Sequence, residues 1–81
     1  MEKELLIKST AGLHASLASK VVQLSTKYNC EVKLLYKDKI VDAKSILGLM
    51  SLAIPHGENI TFKATGKDAE KVLNDVTKIL G

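Results

Sequence analysis

Along this chain apolar positions alternate with polar ones, then recur every three or four residues, then alternate again, and each change of period marks an element. Leu5, Leu6 and Ile7 stand between charged residues and predict a first strand, and Gly12 breaks the pattern. From Ala15 to Tyr28, Leu17, Ala18, Val21, Val22, Leu24 and Tyr28 recur at helical spacing, with Asn29 as the terminator. Val32, Leu34 and Tyr36 then alternate with Glu31, Lys33 and Leu35, a second strand. The polar turn Lys37-Asp38-Lys39 leads into Ile40-Val41-Asp42, a third strand that completes a hairpin without the Asn-Gly or Asp-Gly of the tightest turns.

Ser45 is a natural N-cap for the apolar run Ile46 to Ile54, which Pro55-His56-Gly57 closes. That run is apolar almost all round, unusual for a short surface helix. Ile60, Phe62 and Ala64 alternate with Thr61, Lys63 and Thr65 in a fourth strand. Gly66-Lys67 turns, Asp68 caps, and Ala69, Val72, Leu73, Val76 and Ile79 or Leu80 form one stripe of a last helix. Four short strands with interleaved helices predict an α+β sandwich, one sheet covered by helices on one face.

Composition narrows the class. The 81 residues predict a single domain over 1–81, and 46% hydrophobic with 26% charged residues is an ordinary globular balance. No apolar run approaches the roughly 20 residues that span a bilayer, and Met1-Glu2-Lys3-Glu4 is charged at once, so a cytosolic protein without membrane insertion is expected. Cys30 is the only cysteine, which excludes an internal disulfide and a cysteine metal site; it is expected to be a half-buried apolar residue. Net charge is +3, and all 12 cations are lysines. Without arginine, and with aromatics limited to Tyr28, Tyr36 and Phe62, direct nucleic-acid binding is not expected. The scattered lysines read as a solvated surface, with a weak pull toward acidic proteins.

Candidate chemistry centres on His14, placed where a strand gives way to a helix. It reads either as a loop histidine or plain cap, or as a phosphoryl carrier. A free imidazole titrates near neutrality and can act as a nucleophile without a strong base beside it. The backbone N–H groups of Ala15, Ser16 and Leu17 would point at a phosphate on His14, and the Ser16 hydroxyl adds a donor. Ser45 reads as a plain N-cap or as a phosphorylation site, since a phosphate at a helix N-terminus is favoured by the local dipole. Ile46, Leu47, Leu49, Met50 and Leu52 cannot all face the core of one short helix, so some of them are expected to form a partner surface. No carboxylate stands near His14 or His56 in a ligand spacing, so no metal is expected, and no catalytic or cofactor motif is complete.

Gly12-Leu13-His14-Ala15, followed by Lys44-Ser45-Ile46-Leu47-Gly48-Leu49-Met50-Ser51-Leu52, resembles the histidine-containing phosphocarrier family, HPr. The resemblance runs over essentially the whole chain. It implies an open-faced β-sandwich of four antiparallel strands and three helices in the order βαββαβα. It implies a carrier rather than an enzyme: His14 accepts a phosphoryl group from Enzyme I and passes it to Enzyme IIA domains. Ser45 would be the target of HPr kinase/phosphorylase, and Ile46, Leu47 and Met50 would belong to a shared docking surface. A serine-phosphorylated form would bind a catabolite-control transcription regulator, and no cofactor is implied.

Two departures stand out. The family motif usually continues with arginine and proline, where this chain has Ser16 and Leu17. A hydroxyl is a weaker, less directional phosphate ligand than a guanidinium, and leucine lacks the preset backbone of proline at a first helical turn. Lys20, one turn along, could approach the site as a point charge. These changes keep open a second implied reading, a regulatory HPr-like protein acting through Ser45 with little carrier activity.

Overall fold

The computed structural model describes residues 1–80. Its elements follow the order βαββαβα: β1 (Glu2–Leu6), α1 (Ala15–Lys27), β2 (Cys30–Tyr36), β3 (Lys39–Asp42), α2 (Ile46–Ser51), β4 (Asn59–Gly66) and α3 (Ala69–Leu80). The strands form one antiparallel sheet in the order β1-β4-β2-β3, so β4 inserts between the first strand and the β2–β3 hairpin.

Alternation sorts the sheet's two faces. Leu5, Val32, Leu34, Ile60, Phe62 and Ala64 are buried beneath the helices, which add Ala18, Val21, Leu49, Val72, Leu73 and Val76 to the same core. Fully burying one of the valine, leucine, isoleucine or phenylalanine side chains stabilises the fold by roughly 1.5–3 kcal/mol. The opposite face stays open, and there Glu2, Lys63, Lys33 and Asp42 stand in register across the strands. The result is the open-faced sandwich.

Element ends differ from the sequence pattern where long-range bonds decide them. β1 begins at Glu2, because its charged residues pair with β4 through the backbone alone. Ile7 continues the pairing: its N–H donates to the Glu58 carbonyl and its own carbonyl accepts from Gly57, both at 2.9 Å. The expected terminator of α1, Asn29, is not its end. Tyr28 already leaves the helix with extended backbone (φ −96°, ψ 148°), and its hydroxyl donates to the Asp75 carboxylate on α3. Lys39 belongs to β3 rather than the turn, and Lys37 takes a positive φ of 56°. Asp68 stands at the N-cap position of α3, its carbonyl accepting from Val72, and its carboxylate accepts from the Asn29 N–H.

α2 has only six residues, so Ile54 lies beyond it. Cys30, expected half-buried, is buried among core residues, and burial pushes its thiol pKa up despite the nearby Lys44.

Candidate functional site

His14 is the N-cap of α1, with extended backbone at φ −86° and ψ 173°. Its carbonyl accepts from Ala18 at 2.9 Å, which commits the next residues to helix. Its side chain makes no cap bond, and the residue is half-buried, so part of it remains accessible. The next three N–H groups, of Ala15, Ser16 and Leu17, have no partner within the helix. Ala15 and Ser16 are exposed, Leu17 is half-buried, and the first turn carries no acidic residue. The start of α1 therefore offers anion-binding donors with no acidic side chain in its own first turn.

The approach to His14 is tightly routed. The His14 N–H donates to the Gly12 carbonyl at 3.0 Å, and the Leu13 N–H to the Ile54 carbonyl at 2.9 Å. Leu13 is buried, which anchors the backbone directly before the histidine. Gly12 has φ +72°, and a Cβ there would run into the Ile54 carbonyl oxygen and sit 3.0 Å from the Pro55 Cα. Only glycine fits that conformation and that contact together.

Ser45 caps α2, and its Oγ accepts from the Gly48 N–H at 3.1 Å. The serine is exposed. A Cβ on Gly48 would lie 3.3 Å from the Ser45 Oγ and 3.4 Å from the Val41 side chain, so glycine lets α2 settle close on β3.

α2 divides its apolar residues between two jobs. Leu49 and Leu52 enter the core, whereas Ile46 (39% exposed), Leu47 (80%) and Met50 (38%) face outward. Three neighbouring apolar side chains on a helix of this length make a compact exposed surface. α2 packs against α1, whose first residues carry His14's donors. Lys20 lines a cleft with Gln23, Leu24, Lys27 and Ile79 between α1 and α3.

His56, which the sequence places only in a turn, is hydrogen-bonded to the loop before His14: its Nδ1 lies 3.0 Å from the Ser9 carbonyl oxygen. Pro55-His56-Gly57 signals a turn, but a backbone carbonyl as partner leaves no trace in residue identity. Among the described residues no group of three or more metal-ligating side chains comes together, and no helix is long and apolar enough to cross a membrane.

Residues 1–81 match the family model described as the PTS HPr component phosphorylation site. The phosphocarrier protein HPr of Bacillus anthracis str. Ames is similar in structure, with a TM-score of 0.94 and 33% identity over 100% of this chain and 96% of that one. HPr-C-His of Thermoanaerobacter tengcongensis also has a TM-score of 0.94, with 32% identity over 99% of this chain and 90% of that one. The Bacillus subtilis catabolite repression protein Crh, solved as a swapped dimer, has a TM-score of 0.77 and 34% identity, over 95% of this chain and 88% of the other.

Proposed function

Because this chain belongs to the HPr family, we propose that it is a phosphocarrier of the sugar phosphotransferase system, acting through a single HPr-like domain of residues 1–81 in the cytoplasm. It accepts a phosphoryl group on His14 from Enzyme I and hands it to Enzyme IIA domains, so it is a substrate of other enzymes rather than an enzyme. The observation that carries this reading is the accessible imidazole of His14 at the N-cap of α1, beside unpaired N–H groups and no acidic residue. A phosphoryl group on that ring gains hydrogen bonds from Ala15, Ser16 and Leu17 and the favourable end of the helix dipole. Ile46, Leu47 and Met50 supply the apolar surface on which partners dock.

Ser45 is the regulatory site in this reading, phosphorylated by HPr kinase/phosphorylase. A phosphate there stays at the start of α2, where its charge is favoured, and sets a dianion beside Ile46 and Leu47. It changes what that surface binds, and in this reading the phosphorylated form binds a catabolite-control transcription regulator.

One observation favours a second reading, a regulatory protein with little carrier activity. Ser16 and Leu17 stand where the family has arginine and proline, and no arginine replaces the missing one. Intact mass after incubation with Enzyme I and phosphoenolpyruvate, beside a His14→Ala control, separates the two. A single acid-labile adduct that the control lacks supports the carrier. No adduct, under conditions where an ordinary HPr is phosphorylated, moves the function to Ser45, and the same assay with the kinase and ATP then tests that.

A further inference from the structure

The loop leading to His14 is held from one side by the segment that follows α2. The backbone links run from Gly57 to the Ile7 carbonyl, from Ile7 to the Glu58 carbonyl and from Leu13 to the Ile54 carbonyl, each at 2.9 Å. Between these anchors Ser9 lies half-buried, while Thr10 and Ala11 are exposed small residues with no apolar hold on the core. At this point His56 reaches across, its Nδ1 at 3.0 Å from the Ser9 carbonyl oxygen. A carbonyl only accepts, so Nδ1 carries the proton, and both the neutral ring protonated there and the imidazolium satisfy the bond. The same Ser9 carbonyl accepts the Gly12 N–H at 3.0 Å. Gly12 in turn lies against Ile54 and Pro55, next to His56 itself, with the positive φ that routes the chain into α1.

We propose that His56 is a positioning residue for phosphoryl transfer on His14. Its Nδ1–H fixes the Ser9 carbonyl, that carbonyl fixes Gly12, and Gly12 sets where Leu13 ends and the His14 imidazole begins. No bond to His56 forms or breaks in the transfer. The proposal rests on the carrier reading given above. It accounts for how a short, exposed stretch of small residues presents a reactive ring in one place, although that ring makes no cap hydrogen bond to its own helix. Within the loop the Ser9 Oγ accepts only from its near neighbour, the Ala11 N–H at 3.3 Å, so His56 supplies the side-chain link that joins this loop to the segment after α2, and a substitution can remove it without touching the backbone links.

The experiment compares His56→Asn, His56→Asp and His56→Ala with the wild type. Asparagine places an N–H donor the same number of bonds from the backbone as Nδ1. Aspartate has the same shape and offers the Ser9 carbonyl only oxygens. Two quantities are read: amide hydrogen exchange at Gly12 and Leu13 against core amides such as Val21 and Val32, and the kinetics of phosphoryl transfer from Enzyme I. In the Asp and Ala variants exchange at Gly12 and Leu13 should rise, and kcat should fall, each by about two- to tenfold, the span of one hydrogen bond's net contribution. KM should hold, because the docking residues of α2 are untouched, and the Asn variant should restore both readings. Loss of protection that spreads equally to Val21 and Val32, or an Asn variant that behaves as Ala does, overturns the proposal. Wild-type transfer that the Asp and Ala variants match also overturns it while leaving the carrier reading intact. A wild-type protein that takes no phosphoryl group from an active Enzyme I removes the carrier reading, and the proposal with it.

Discussion

Ala53 leaves α2 at φ +49°, in the left-handed region where a Cβ costs on the order of 1–2 kcal/mol. Glycine removes that cost and returns part of it as unfolded-chain entropy, roughly 0.4–1 kcal/mol. Ala53→Gly should therefore raise stability by about 0.5–1 kcal/mol, read as a higher urea midpoint at unchanged slope. Ser25 is a second such position. It lies on the buried stripe of α1 with Ala18 and Val21, fully buried, and its Oγ has no hydrogen-bond partner. Ser25→Ala deletes an unsatisfied polar atom and improves helix propensity, so thermal unfolding should move up by about 1 kcal/mol. A lower melting point would show that the hydroxyl is satisfied after all. The helical spacing of Ala18 and Val21 is visible in the sequence, but Ser25, on the same buried stripe, is not part of that apolar pattern, because a serine does not announce burial. His56 was equally opaque, because its partner is a carbonyl that every residue owns. His14 and Gly12 were legible because a strand-to-helix switch and a glycine break leave marks in residue type.

The elements were legible as far as local periodicity reaches. β2, β4 and α3 follow their alternation and stripe closely, because the faces they bury are fixed by neighbours in sequence. β1 extends into charged residues because an edge strand needs only backbone partners. α2 was legible as an apolar run but not as a divided one. Which of its residues face inward is set by α1 and β3, against which it packs, and that is a tertiary fact. The same short helix depends on its cap, since six residues cannot hold a helix by propensity. Ser45→Ala loses the bond from Gly48 and should cost about 1 kcal/mol in chemical unfolding, whereas Ser45→Asp keeps an acceptor at the N-cap and should stay within about 0.5 kcal/mol of wild type. An Asp variant as unstable as the Ala one would argue that a negative charge at this position disturbs α2, and would weaken Ser45 as a benign site for phosphate.

At the scale of the whole molecule, two tyrosine hydroxyls tie distant parts of the chain across the edges of the core. Tyr28 donates to Asp75, joining the end of α1 to α3, and Tyr36 donates to Glu58 at 2.7 Å, joining β2 to the residue before β4. Each hydrogen bond holds its hydroxyl pKa above the ordinary 10.0, with desolvation and the charge of the same carboxylate adding to the effect. The sign of the resulting pH dependence follows from proton binding. Below pH 10 both tyrosines are protonated folded and unfolded, and the ties contribute fully. As pH rises past that value the unfolded chain releases its tyrosine protons first, so the folded state binds more of them and stability falls until the folded hydroxyls ionise too. Lysines titrate in the same range, so the informative quantity is the difference between proteins rather than the wild-type curve alone. The double variant Tyr28→Phe with Tyr36→Phe should have a lower urea midpoint than wild type at about pH 8 and a smaller further loss by about pH 11, so the two curves converge. Parallel curves would mean that the hydroxyl ties do not distinguish the folded from the unfolded chain, and that other titrating groups, the lysines among them, set the response to alkali.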